Sequence, residues 1–261
     1  MSDNQDSTQQ PVAIVPLVTV GAAAPVVDAT PAPAAAVQTP APAPVVQTPA
    51  PAPTSSTPAF DIANIDVALA IDTSGTMSTK DLAGGMTRMQ GAKESVVALA
   101  AEAGKYDPDG ITVARFASKV RIYDGVTESR VEQIFQEFRP MGSTNTKEAV
   151  EQLINLFLGK RAAAGAAAKP ACIVVITDGE PDDKIGLAQV IADASKKLNS
   201  RSELGILFVQ VGNDPDATAY LAKLNNDLTK VGAKFDIVAV TRLEDLEDIS
   251  PAEIFEMAFT D

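Results

Sequence analysis

From Ile65 onward, short apolar runs alternate with longer segments whose apolar residues recur every three or four positions. Ile65 to Ile71 is apolar except for Asp66 and ends at Asp72, the pattern of a strand buried on both faces. Residues 86–103 follow with helical spacing. The runs 111–116 and 120–123, three residues apart, predict a hairpin. Thr127 can cap a helix carrying Val131, Ile134, Phe135 and Phe138, and a further helix is expected from Thr146 to Leu158 with Val150, Leu153, Ile154 and Phe157 on one face. Residues 161–169, rich in alanine, are expected as a loop or frayed helix end.

The second half repeats the alternation. Ala171 to Thr177, Leu204 to Val211 and Phe235 to Val240 predict strands. Asp182 or Asp183 can cap a helix reaching Leu198, and Asp214-Pro215 opens another through Leu228. Ser250-Pro251-Ala252-Glu253 combines a capping box with proline at the first helical position and starts the last helix. This order predicts an α/β fold: a doubly wound, mostly parallel sheet with one antiparallel edge strand and helices on both faces. Ligands in such sheets bind beyond the carboxyl ends of the strands, which directs attention to the loops after Ile71 and Thr177 and to any loop that could join them.

Composition divides the chain. Residues 1–60 hold 12 of the 18 prolines, only three charged residues and a repeated Val-Gln-Thr-Pro-Ala-Pro-Ala-Pro at 37–44 and 46–53. Such a segment favours extended polyproline II and cannot build a core, so residues 1–60 are expected as a disordered arm, spacer or docking peptide, ahead of one domain at 61–261. The net charge of −13 repels phosphate backbones and anionic lipid, which argues against nucleic-acid and membrane partners. The chain has no histidine, which removes histidine general bases and histidine-bound zinc. Its one cysteine, Cys172, lies inside an apolar strand run and reads as a buried hydrophobe. The polar, acidic start Met-Ser-Asp-Asn-Gln-Asp is no signal peptide, so a cytoplasmic location is expected.

Three oxygen-rich clusters fall in the loops singled out by the fold: Asp72-Thr73-Ser74-Gly75-Thr76, Gly142-Ser143-Thr144-Asn145-Thr146 and Thr177-Asp178-Gly179-Glu180. Asp72 and Asp178 carry two negative charges, enough to balance a divalent ion. Ser74 and Thr76, two apart, can turn both hydroxyls to one point, with Gly75 freeing the bend, and Thr144 can add a third from another loop. Hard, six-coordinate Mg²⁺ or Mn²⁺ suits such donors. Capping and turn chemistry is the bland alternative for each hydroxyl taken singly.

These motifs, in this order and on these strands, resemble the metal-ion-dependent adhesion site of the von Willebrand factor A family, and among its members the intracellular bacterial type. The resemblance implies that Ser74, Thr76 and, in the ligand-ready state, Thr144 bind the metal directly, and that Asp72 and Asp178 act mostly through water. It further implies a non-enzymatic adaptor or scaffold that captures an Asp or Glu of a partner protein at the remaining coordination position. Two other functions compete. Asp72 could serve as nucleophile of a phosphotransferase similar to the haloacid dehalogenases, but that family usually has a second Asp where this chain has Ser74, and no late lysine is evident. A structural or assembly protein with a merely stabilising metal is the other.

Overall fold

The computed structural model describes residues 64–105 and 110–260. The expected arm at 1–60 lies outside the described residues. Among the described residues six strands form one sheet. In chain order the main elements are β1 (Asp66–Asp72), α1 (Arg88–Ala103), β2 (Ile111–Phe116), β3 (Val120–Val126), α2 (Glu128–Gln136), α3 (Thr146–Ala164), β4 (Ala171–Thr177), α4 (Lys184–Lys196), β5 (Leu204–Gln210), α5 (Pro215–Asp227), β6 (Val238–Arg242) and α6 (Pro251–Thr260).

The strand order is β3-β2-β1-β4-β5-β6, parallel throughout except that β3 pairs antiparallel with β2 at one edge. The doubly wound sheet with one antiparallel edge strand is thus what the alternating pattern predicts. β1 and β4 are buried over most or all of their length, as strands covered by helices on both faces must be. Successive side chains feed opposite layers. Leu69, Ile71, Val174 and Ile176 face the core shared with α1, α2 and α6, whereas Ala70, Phe116, Ile173 and Val175 face the core shared with α3, α4 and α5.

The chain winds outward from β1 to β2 and β3, then returns to lay β4 on the other side of β1. The switch point therefore lies between β1 and β4, whose register aligns Ile71 with Ile176. One residue further, Asp72 and Thr177 end their strands side by side, which is where a ligand site belongs in this architecture.

Local signals set the helix starts. The helix expected from Met86 begins at Arg88, because Thr87 and Gln90 form a reciprocal capping box. Asp214 accepts from the amides of Asp216 and Ala217 ahead of Pro215. Ser250 and Glu253 exchange the expected capping bonds at α6. Other boundaries differ from the pattern as well, α3 and β6 among them. α3 runs on through the alanines to Ala164 and stops at Gly165, because alanine is the strongest helix former and the run contains nothing to break it earlier. β6 pairs from Val238 to Arg242 rather than from Phe235; Phe235 is only partly buried and packs on the core as the chain enters the strand.

Candidate metal centre

The ends of β1 and β4 supply the two carboxylates. Asp72 and Asp178 are fully buried, and both lie where a strand gives way to a loop. Asp72 Oδ1 accepts the Ser74 amide at 2.7 Å, and Asp72 Oδ2 accepts the Thr177 hydroxyl at 2.6 Å. These bonds lower the carboxyl's proton affinity, but burial outweighs them, and with the Asp178 charge nearby Asp72 is pushed up to about 6. Asp178 is also raised, again chiefly by burial, against the pull of Arg88 and Thr76.

The hydroxyls of the first loop complete a chain of oxygens. Ser74 Oγ lies 3.0 Å from Thr76 Oγ1, which donates to Asp178 Oδ1 at 2.9 Å. Ser74 is buried while Thr76 is exposed, so the cluster opens to solvent on the Thr76 side. Adjacent ligands of an octahedral ion with bonds of about 2.1 Å stand about 3.0 Å apart. The two separations, which are also those of hydrogen bonds, are compatible with that edge, so the oxygens of Ser74, Thr76 and Asp178 suit a small six-coordinate cation. Among the described residues no three His, Cys, Asp or Glu side chains gather into a metal cluster, so a hard cation here depends on the hydroxyls.

The loop before α3 is fastened against this cluster. The Gly75 amide donates to Gly142 O at 3.2 Å, and Met141 N donates to Thr73 O at 2.9 Å. Gly142 has φ +90°, and a Cβ there would stand 2.6 Å from Ser118 Oγ. The approach thus requires glycine at 142, whereas a Cβ on Gly75 would make only ordinary contact. Thr144 is held by its backbone: its amide donates to Asp182 Oδ1 at 3.1 Å, and its carbonyl accepts from the Asp182 amide at 2.9 Å. The structure joins Asp72, Ser74, Thr76 and Asp178 in one hydrogen-bonded set; Thr144 is half-buried on the neighbouring loop, with its hydroxyl outside that set among the described residues.

Asn145 and Asp183 are helix caps, accepting from Glu148 N and Gly186 N. Asp182, one of the two capping candidates for α4, instead ties the second motif to the third.

One participant escaped the sequence reading. Arg88, at the first position of α1, donates from Nη1 to Asp178 Oδ2 at 3.0 Å. Its Nε and Nη2 grip Asp81, the latter at 2.6 Å from Oδ2. Asp81 is therefore half of an ion-pair clamp, and its carboxyl is held below the usual range by Arg88. The only sequence signal was a basic residue at the start of a helix, where the dipole disfavours it.

Cys172 is buried, unbridged and pushed up by burial, as expected of a core residue. Among the described residues no helix is long and apolar enough to cross a membrane.

The chain is similar to several solved structures of low sequence identity. A point mutant of the PilB minor pilin from Streptococcus sanguinis aligns with a TM-score of 0.50 and 14% identity over 76% of this chain and 63% of the pilin, so this chain spans less than two thirds of that protein. BatB from Bacteroides thetaiotaomicron aligns at 0.46 and 19% identity, over 75% of this chain and 99% of BatB. The manganese-loaded TRAP protein of Plasmodium vivax aligns at 0.44 and 17% identity, over 70% of each chain. No curated protein matches the sequence. Residues 67–180, the segment that carries Asp72, Ser74, Thr76, Thr144 and Asp178, match the family model of the von Willebrand factor type A domain.

Proposed function

We propose that this domain is a metal-dependent protein-binding module, an adaptor or scaffold without catalytic chemistry of its own. In this reading Asp72, Ser74, Thr76, Thr144 and Asp178 form a metal-ion-dependent adhesion site for Mg²⁺ or Mn²⁺. The observation that carries it is the run of oxygens from Ser74 Oγ through Thr76 Oγ1 to Asp178 Oδ1, spaced at 3.0 and 2.9 Å and open to solvent at Thr76. When bound, the cation supplies a Lewis-acidic corner for an oxygen ligand from outside.

The chain's own residues prepare that corner. Ser74 and Thr76 bring neutral oxygens, which leave the ion short of electron density. Asp72 and Asp178 balance its charge from the buried side. Asp182 holds the Thr144 backbone on the adjoining loop, from which the Thr144 hydroxyl would complete the set. A partner's Asp or Glu carboxylate is the group such a corner binds best. The burial of Asp72, with both oxygens accepting hydrogen bonds, weighs against a phosphoryl-accepting nucleophile at this position.

Affinity capture tests the reading. Wild-type protein in Mg²⁺ should retain a partner that EDTA releases, and Asp178→Ala should retain none while staying folded. Capture that ignores both EDTA and the substitution would reject metal-dependent recognition and leave a merely stabilising site. The cytoplasmic setting expected from the sequence belongs to the same proposal, and cell fractionation tests it.

A further inference from the structure

Beside the candidate metal centre lies a groove of about 760 Å³, and Thr73 and Gly142 form part of its wall. Both residues also belong to the loops that carry the site: Thr73 O accepts from Met141 N, and Gly142 O accepts from Gly75 N. The groove therefore adjoins the loops of the site.

The groove is cationic on a protein whose net charge is −13. Arg115, Lys119 and Arg139 line it, and none of them has an ion pair among the described residues. The Nε of Arg115 is buried without a hydrogen-bond partner, and its guanidinium stacks over Phe138 at 4.8 Å. The one acid in the wall, Glu137, is already engaged by Tyr123, Arg130 and Arg121. The cavity on the other side of the site, about 540 Å³, is rimmed instead by Asp81, Glu94, Glu244 and Glu247. Of these two cavities only the first is lined by basic side chains.

That groove is firmly placed. Ser118, in the turn that carries Lys119, accepts from Ser143 N at 3.0 Å, and Asn145 N donates to Ala117 O at 3.1 Å. Lys119 and Arg139 are exposed, and Met141, 70% exposed, adds an adaptable apolar contact.

We infer that this groove is the docking channel for an acidic segment of the partner protein, one whose further carboxylates lie along Arg115, Lys119 and Arg139 while one carboxylate reaches the metal corner. The inference rests on the metal-dependent reading and adds to it: the partner is an acidic stretch, not a single acidic residue. Complementary charge of this kind selects partners and speeds encounter.

The test is anisotropy of a fluorescent oligoglutamate peptide with full-length protein in Mg²⁺. Lys119→Glu and Arg139→Glu should each weaken binding about tenfold, a typical effect of placing like charge across a complementary surface, while calorimetric Mg²⁺ affinity stays unchanged. Binding should also fall as salt rises. Unchanged peptide affinity in the double variant would overturn the inference. So would an oligonucleotide of equal charge that binds as tightly as the peptide. Wild-type peptide binding that is the same in EDTA would reject the metal reading instead, and the two failures are thereby distinguished.

Discussion

Arg88 Nη1 stands 3.0 Å from Asp178 Oδ2, so one oxygen of a candidate metal carboxylate is already committed to a resident cation. The guanidinium is nearly buried and Asp178 fully so, which makes the pair costly to break. Arg88 holds its proton even more firmly than usual, chiefly through Asp81 and then through Asp178, while at Asp178 burial outweighs the pull of Arg88 and Thr76 and keeps the carboxyl raised.

Replacing Arg88 by Gln should therefore destabilise the metal-free protein by about 3 kcal/mol, the usual cost of orphaning a buried charge. Mg²⁺ should recover part of that loss and should bind more tightly than to wild type, because a competing positive charge has gone. Thermal melts with and without Mg²⁺ check both signs. Equal Mg²⁺-induced shifts in the two proteins would contradict the role given to Arg88.

Gly212 makes the room that Arg88 needs. Its φ is +76°, and a Cβ there would stand 2.6 Å from Arg88 Nε. Gly212→Ala should cost about 1–3 kcal/mol from backbone strain and crowding together. It should also raise Mg²⁺ affinity, as Arg88→Gln is expected to, since the guanidinium is pushed off its partners. A melt and a calorimetric titration of the same preparation check this.

Acidity should act on the site through Asp72. Its pKa is raised from 3.8 to about 6 in the folded protein, so the folded state binds the proton more tightly than the unfolded chain does. The resulting stabilisation is fully present below pH about 3.8 and is lost as pH climbs through about 6. Two pKa units correspond to about 3 kcal/mol. At this residue the metal-free protein should therefore weaken from pH 4 to pH 6. Mg²⁺ needs the ionised form, so its stabilising effect should run the other way and grow over the same window. Denaturant titrations across this range, with and without Mg²⁺, check the two slopes, and Asp72→Asn should flatten both.

The legible and illegible parts of the fold divide by sequence distance. β1 and β4 announce themselves as apolar runs closed by an aspartate, and the switch between them follows from strand order, so the meeting of Asp72 with the Thr177–Asp178 loop could be expected. The loop carrying Thr144 could be placed near the site by its glycine and hydroxyls. How it is held could not, because Asp182 reaches it across 38 residues and could equally have capped α4. Arg88 was illegible for the same reason: its partners lie 7 and 90 residues away, and no local pattern separates a clamp from a solvated charge. The cationic groove is of this kind too. Arg115, Lys119 and Arg139 come from β2, a hairpin turn and a loop, and only the folded sheet edge gathers them.

The most direct measurement is a calorimetric titration of Mg²⁺ into the wild-type protein and into Ser74→Ala and Asp178→Ala. The account predicts one saturable site per chain in wild type, Mg²⁺ affinity reduced by about tenfold or more in each variant, and circular dichroism unchanged. Wild-type protein that takes up no Mg²⁺ or Mn²⁺, or variants that bind it as tightly as wild type, would contradict the claim that these oxygens share a cation.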